Sequence, residues 1–494
     1  MIDYHALAPE LILAGTLVGV LLLDLLPVEK YWTAVLALTG LVAAAVPLLS
    51  LALLEEGERS LFSGSYVVDD YALVLKGLFI VTGFIALLMS VGYLELDRYY
   101  QGEFYFLLLA SVIGAVVMAS SRDLISIFIG VELVSIPGFL LAGWRKGDAR
   151  SNEAALKFFI IGVLSSAVML FGMSIVYGVT GSIDFAGIAA ASAGLVDEPA
   201  MILGVLLVIA GFGFKVSAVP FHFWVPDTYE GSPTPVAAFL SVGSKAAGFV
   251  GLLSLCFIAF AELKEIWGPA IWILAAASMT IGNLVALRQT NIVRLLGYSS
   301  IAHGGFILVP FAMAASFDQV ALGDAFSATV TYLLIYAFMN LGAFAVVIAV
   351  SRKINRGDIA GWAGLFTYAP GLATLATIFF FSLAGLPPLA GWFAKFVMFR
   401  AVLGGGANTW AVVLAAIAAV NAVVALYYYA KIVKSAWMDP VPESIASADA
   451  RETQLAPSLS LALGIAAVGV VAVGFFPQVL AFFGDATRAL ALGG

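Results

Sequence analysis

The sequence predicts an all-α, polytopic membrane protein with about fourteen transmembrane helices arranged around two inverted five-helix repeats. Three observations carry this. Of 494 residues, 62% are hydrophobic and only 11% charged, and the mean hydropathy is +1.06, more apolar surface than a water-soluble fold of this length can bury. Apolar windows of span length follow one another along the whole chain. Two of them are interrupted by glycine and proline next to a lysine.

Taken in order, the spans fall at 6–26, 33–54, 71–94, 104–120, 123–143, 154–178, 200–221, 235–260, 267–287, 292–313, 325–350, 366–399, 408–436 and 457–483. The first is read as a span and not as a signal peptide, because no basic leader precedes it and its acids Glu10 and Asp24 adjoin further apolar segments. The window 366–399 is too long for one straight helix and is interrupted at Gly385-Leu386-Pro387-Pro388. The expected organisation is an N-terminal three-helix segment (1–102), a first repeat of spans four to eight (103–262), a second of spans nine to thirteen (263–438), and a C-terminal loop with span fourteen (439–494).

Composition excludes several classes. A single cysteine, Cys256, rules out an internal disulfide and any cysteine-ligated cluster within the chain. A net charge of −8 offers no basic stripe to nucleic acid. No carboxylates and histidines cluster at metal-ligand spacing. Membrane proteins, lipids and ions remain as partners.

Orientation follows from the 23 basic residues. Connections after odd-numbered spans hold twelve: Lys30, Arg98, Arg145, Lys146, Arg150, Arg288, Arg294, Arg352, Lys353, Arg356, Lys434 and Arg451. The other face holds Arg59, Arg122, Lys264, Arg400 and Arg488. The bias places the odd connections in the cytoplasm and both termini on the opposite side.

The remaining six, Lys76, Lys157, Lys215, Lys245, Lys395 and Lys431, fall within spans, whereas Glu132 alone among the acids lies near mid-helix. An ammonium at the bilayer centre costs roughly 2.5–3.5 kcal/mol on insertion scales, so several of them call for a reason. Burial and a neighbouring cation make a lysine release its proton more readily than in water, where its pKa is about 10.4. A row of such groups joined by water can pass protons, each charge state set by its neighbours. Lys76 and Lys431 lie about two turns from span ends, where snorkelling to the interface accounts for them equally well. Lys215, Lys245 and Lys395 lie deep or beside helix breaks.

Span seven reads Gly211-Phe-Gly-Phe-Lys215-Val-Ser-Ala-Val-Pro220-Phe-His222, and span twelve Gly385-Leu-Pro387-Pro388-Leu-Ala-Gly391-Trp-Phe-Ala-Lys395. Proline frees backbone carbonyls inside the membrane, which is tolerated where they line a wet cavity or are buried in protein. Breaks at corresponding places of two halves mark transporters built from inverted repeats. Blocks of five spans enter the membrane from opposite sides, and span seven then matches span twelve. His303, in mid-span ten, and His222, after the first break, titrate near neutrality and are proton-shuttle candidates, with hydrogen-bonded packing as the structural alternative. His5 is terminal.

The stretch from Lys215 through Pro226-Asp-Thr-Tyr-Glu-Gly231-Ser-Pro-Thr-Pro235 to Lys245 resembles the signature of the antiporter-like membrane subunits of respiratory complex I. Its Pro-Asp-x-Tyr-Glu-Gly-Ser-Pro-Thr-Pro form resembles the N type, where the L and M types and their Mrp antiporter relatives usually carry Asp-Ala-His. Leu295-Leu-Gly-Tyr-Ser-Ser300-Ile-Ala-His303 and Ala384-Gly-Leu-Pro-Pro-Leu-Ala-Gly391-Trp-Phe-Ala-Lys395 extend the resemblance over essentially the whole chain. The chain stops soon after span fourteen, where an L-type subunit would continue into a lateral helix.

The resemblance implies a non-redox, proton-pumping subunit of NADH:quinone oxidoreductase in a bacterial plasma membrane. It implies that Glu132 pairs with Lys215, with Lys157 near that pair, that Lys245 bridges to an exit lysine, Lys395, and that His303 lies on the hydrated axis. His222 and Lys431 are further candidates. No cofactor is expected in this chain; NADH, FMN, iron–sulfur clusters and quinone would belong to the whole complex. The expected partners are an antiporter-like neighbour, small membrane-arm subunits of the K, J and A types, and lipids. Alternatives are a subunit of a ferredoxin- or hydrogenase-linked complex, a Mrp-like sodium–proton antiporter subunit, and a passive scaffold of the membrane arm.

Overall fold

The computed structural model of the chain describes residues 3–54, 57–95, 101–354, 357–405, 408–443 and 455–491. Arg98, Arg356 and Arg451, used above to orient the chain, lie outside the described residues. Among the described residues the fold is all-α apart from one small hairpin. Its main helices are α1 (Ala8–Asp24), α2 (Tyr31–Leu54), α3 (Asp70–Glu95), α4 (Glu103–Ser120), α5 (Leu124–Ala142) and α6 (Ala149–Thr180). There follow α7 (Pro199–Lys215), α8 (Trp224–Gly231), α9 (Thr234–Ala259), α10 (Lys264–Ala286), α11 (Ile292–Leu308) and α12 (Gln319–Ile354). The last are α13 (Pro370–Ala384), α14 (Ala390–Gly404), α15 (Thr409–Met438), α16 (Pro457–Phe475) and α17 (Gln478–Ala486).

Among the described residues, eleven helices are long and apolar enough to cross a membrane, and α7 and α13 are shorter apolar helices. The chain is a multi-pass membrane protein. Every window expected from the sequence contains a helix, and the starts follow local chemistry. Asp123 accepts from the backbone N–H groups of Ile125 and Ser126, both at 2.8 Å, to begin α5. Asn291 does the same for Val293 and Arg294 at the start of α11, and Asn408 for Ala411 in α15. These caps satisfy donors that the first turn leaves open.

Three features differ from expectation. A hairpin, β1 (Arg59–Leu61) with β2 (Tyr66–Val68), fills the connection between α2 and α3 and pairs Leu61 with Tyr66. Span fourteen is shorter than the window 457–483, since α16 stops at Phe475 and the chain turns at Pro477 into α17. Span seven ends at Lys215, and non-helical backbone runs to Trp224, where α8 begins.

The second break runs from Gly385 to Leu389, between α13 and α14. The Val219–Pro220 and Pro387–Pro388 peptides in the two breaks are cis. Between the broken elements runs α12, whose 36 residues are buried almost throughout and extend about 54 Å at 1.5 Å per residue. α9 is equally buried and contains π-helical turns at Leu240–Ser244 and Leu255–Ala259, on either side of the segment that begins at Lys245. The outer faces of α1, α2, α5, α6 and α15 carry exposed apolar side chains, such as Leu22, Leu53, Ile129, Phe171 and Val423.

Candidate functional site

α7 ends on Lys215, whose side chain is buried at 6% exposure. The unpaired carbonyls of a helix C-terminus carry partial negative charge and favour a basic residue in the last turn, and the break leaves that end of α7 inside the protein. α5 supplies the opposite charge. Lys215 Nζ lies 3.9 Å from Glu132 Oε1, yet its hydrogen bond goes to Ser135 Oγ at 2.5 Å. Glu132 accepts from Ser166 Oγ of α6 at 2.5 Å. The carboxylate and the ammonium thus attract each other while each is held by a separate hydroxyl.

Lys245 approaches from α9, which packs against the end of α7. Gly248, one turn beyond it, packs directly on Lys215: a Cβ at Gly248 would stand 2.9 Å from that of Lys215. The ammonium of Lys245 donates to the Ser300 carbonyl of α11 at 2.6 Å and also to the Ser300 hydroxyl. One turn further along α11, His303 Nδ1 is 3.0 Å from the Tyr332 hydroxyl of α12, and its ring lies 5.2 Å from that of Tyr336.

Lys395 belongs to α14 but folds back across the second break. Its ammonium donates to the Ala384 carbonyl at 2.5 Å and to that of Leu383 at 3.4 Å, the last turn of α13. It also stands 5.1 Å from the Phe306 ring centroid of α11. Gly385 makes this return geometrically feasible, with φ +89° at the end of α13 and no side chain where Lys395 Cδ would be only 2.7 Å away. Lys215 and Lys395 therefore both stand at the C-terminal end of a half-helix, Lys215 as the last residue of α7 and Lys395 through its bonds to the last carbonyls of α13.

The structure brings Glu132, Lys215, Lys245, His303 and Lys395 onto the elements around the two breaks; of the other three candidates, His222 also lies in the first break, whereas Lys157 and Lys431 lie elsewhere. Lys157 is 42% exposed and pairs with Glu153 at 2.6 Å and with Asp227 of α8 at 2.7 Å. Its expected place beside Glu132 gives way to a charged cluster at the end of α8, in which Arg294 of α11 binds Asp227 at 2.7 Å and Glu230 at 3.0 Å. His222 is buried in the first break. Lys431 lies on the exposed face of α15.

Lys76 corrects the reading from sequence. It is fully buried and does not snorkel: Nζ binds Glu10 Oε1 of α1 at 2.8 Å and the Tyr66 hydroxyl at 3.3 Å. Tyr66 donates to the same carboxylate at 2.7 Å. Glu132 is consequently not the one acid drawn into the helical interior.

Sequence reading missed the hydroxyls and amides that hold the charges. Ser135 follows Glu132 by three residues, the spacing that places both on one helix face. Tyr332, Tyr336 and Asn340 repeat every four residues along α12, and Asn340 Nδ2 donates to Ser241 Oγ of α9 at 2.7 Å. Ser166 and Ser300 carry no comparable local signal.

The family model of the NADH:quinone oxidoreductase/Mrp antiporter transmembrane region matches residues 121–421. The chain is 40% identical to NADH-quinone oxidoreductase subunit N 1 of Koribacter versatilis (strain Ellin345), covering 98% of this chain and 96% of that one. Its fold matches a chain of the respiratory complex I from Thermus thermophilus with bound aureothin at 31% identity and a TM-score of 0.77, over 98% of this chain and all of that one. A chain of the Mrp complex from Dietzia sp. DQ12-45-1b shares the fold at 20% identity and a TM-score of 0.80, each chain being covered in full. The matched region contains both breaks and every lysine of the buried row, and on these grounds the chain belongs to the NADH:quinone oxidoreductase/Mrp antiporter family of membrane subunits, in its NADH-quinone oxidoreductase subunit N branch.

Proposed function

We propose that the chain is a non-redox, proton-translocating subunit of a NADH:quinone oxidoreductase, moving protons through Glu132, Lys215, Lys245, His303 and Lys395. The observation that carries this is the Glu132–Lys215 pair, 3.9 Å apart with each partner held by a serine. A pair in direct contact would lock the ammonium in its charged state, whereas one held just beyond hydrogen-bond distance changes its attraction with small displacements.

Glu132 shares a stripe of α5 with Ile125, Ile129, Ile136 and Leu140, all more than half exposed, and its own side chain is 22% exposed. A carboxylate opening on such a face supports a neighbouring membrane subunit docked there, one that alters the charge opposite Glu132. In the cycle, that change weakens or tightens the pair, Lys215 releases or retains its proton, Lys245 passes the change through the Ser300 and His303 region, and Lys395 releases a proton to the far side. The energy comes from quinone reduction elsewhere in the complex, where NADH, FMN, iron–sulfur clusters and quinone are bound. Lys157 is an accessory charge at the entry to this path and not a link in it.

The placement of a buried lysine at each of the two half-helix ends supports the inverted-repeat organisation of spans four to eight and nine to thirteen within about fourteen spans. The kinship with bacterial subunit N chains supports a bacterial plasma membrane location, and the bias of basic residues supports both termini on the non-cytoplasmic side.

The test is Glu132→Gln and Lys215→Ala in the intact complex, with assembly, electron transfer and protons translocated per electron measured together. Both variants are expected to assemble and to translocate fewer protons per electron. Normal assembly with an unchanged ratio would overturn the reading in favour of a scaffold.

A further inference from the structure

Beside the residues of the proton path, a second set of buried polar side chains gathers on α11, beginning at Ser299. Ser299 Oγ is hydrogen-bonded to the Tyr429 hydroxyl of α15. The Tyr429 ring lies 4.4 Å from that of Tyr428, and the Tyr428 hydroxyl donates to Asn283 Oδ1 of α10 at 3.0 Å. Asn283 Nδ2 donates to the carbonyl and side-chain oxygens of Asn421, both at 3.2 Å. Asn421 Nδ2 donates to Thr280 Oγ1 at 3.3 Å, and Thr280 closes the series on the Ala276 carbonyl at 2.8 Å. Ser299, Asn283 and Tyr429 are fully buried, and Tyr428 and Asn421 nearly so.

Two carboxamides in the series argue against a second proton conduit, since relaying a proton through an amide requires passage through its imidic acid form. From Tyr428 onward every donor points the same way along the series, toward the Ala276 carbonyl, which fixes the direction of each bond. A buried network satisfied in this manner specifies one arrangement of the helices that carry it.

What it arranges is the seat of Lys245. Both acceptors of that ammonium come from Ser300, one of them the backbone carbonyl, so the seat moves with the α11 backbone. Ser299 and Ser300 are consecutive and point about 100° apart around the helix axis, one to the clamp and the other to the lysine. The same helix carries His303 and the Phe306 ring beside Lys395.

We propose that Ser299, Tyr429, Tyr428, Asn283 and Asn421 form an orienting clamp that holds α11 at the position where Ser300 receives Lys245, which makes Ser299 and Tyr429 positioning residues for proton transfer. The inference rests on the reading of Lys245 as a proton carrier.

The experiment uses the intact complex with Ser299→Ala, Tyr429→Phe, their double variant, Asn283→Leu, and Ser299→Thr as the conservative replacement. Loss of one net hydrogen bond is expected to lower proton translocation about fivefold, with electron transfer and assembly retained. The double variant should be no worse than either single one, because both remove the same bond, and Ser299→Thr should restore translocation. Wild-type translocation in Ser299→Ala and Tyr429→Phe would overturn the proposal, as would additive losses in the double variant. Failure of every hydroxyl deletion to assemble would also overturn it, since the chain would then be a folding staple. Lys245→Ala separates the two levels: if it leaves translocation intact, the reading of the path fails, whereas its failure to translocate beside normal clamp variants defeats the clamp alone.

Discussion

Lys215 donates its hydrogen bond to Ser135 at 2.5 Å while its opposite charge, Glu132, stands 3.9 Å away. Glu132 and Ser135 are neighbours on one face of α5, so a single helix offers the lysine two partners of different strength. The arrangement lets the ammonium be stabilised without being captured. A hydrogen bond to a charged group contributes about 1.5–3 kcal/mol, enough to shift the balance between the two partners by an order of magnitude or more.

Ser135→Ala removes the neutral partner alone. The expected outcome is a complex that assembles and transfers electrons but translocates fewer protons per electron, with a smaller loss than Lys215→Ala. Proton uptake by sealed membrane vesicles during NADH oxidation measures it. A ratio equal to that of the unaltered complex would mean that Ser135 only fills space.

Lys76 should behave differently, although it is as deeply buried as Lys215. Its ammonium is in direct contact with Glu10 at 2.8 Å and supported by Tyr66, so Lys76→Ala strands a carboxylate and is expected to cost about 3–5 kcal/mol of stability. The amount of assembled complex should fall, while protons per electron in the assembled fraction stay normal. Replacing both members, Lys76→Met with Glu10→Leu, should recover much of the assembly. A fall in the proton ratio at normal assembly would place Lys76 on the proton path.

Gly385→Ala tests the seat of Lys395. The residue adopts φ +89° and stands against the lysine side chain, and the left-handed conformation alone costs an alanine about 1–2 kcal/mol. Displacement of Lys395 from the Ala384 carbonyl is expected to reduce translocation more than electron transfer. Gly371→Ala, where nothing lies near the new carbon, serves as the control and should be neutral.

The charged cluster beneath α8 predicts an order of effects. Lys157 is part-exposed and shares Asp227 with Arg294, and exposed ion pairs contribute about 0.2–1 kcal/mol. Lys157→Ala should therefore disturb assembly less than Asp227→Asn, which loosens α6 and α11 from α8 together. Quantifying assembled complex in the two variants checks the order.

The sequence made the helices, both breaks and the central lysines legible, because each rests on a local signal: apolar length, proline with glycine, or a charge where none is expected. The Glu132–Lys215 pair followed from the family signature. What stayed hidden depends on contacts between distant segments. Nothing near Lys76 in the chain announces Glu10, which arrives from another helix, and nothing near Lys157 announces Asp227. The serines at 135, 166 and 300 look like ordinary small residues of membrane helices, and only the packing of α5, α6 and α11 shows which charge each one meets. Asn283 and Asn421 were similarly silent, since an asparagine in a span gains meaning only from its partner.

The central claim is that Lys215 must lose and regain a proton, and Lys215→Arg in the intact complex tests it most directly. Arginine keeps the positive charge opposite Glu132 but does not release its proton at any working pH. The account predicts normal assembly, continued electron transfer and a lower number of protons translocated per electron. An unchanged ratio in the Lys215→Arg complex would contradict it.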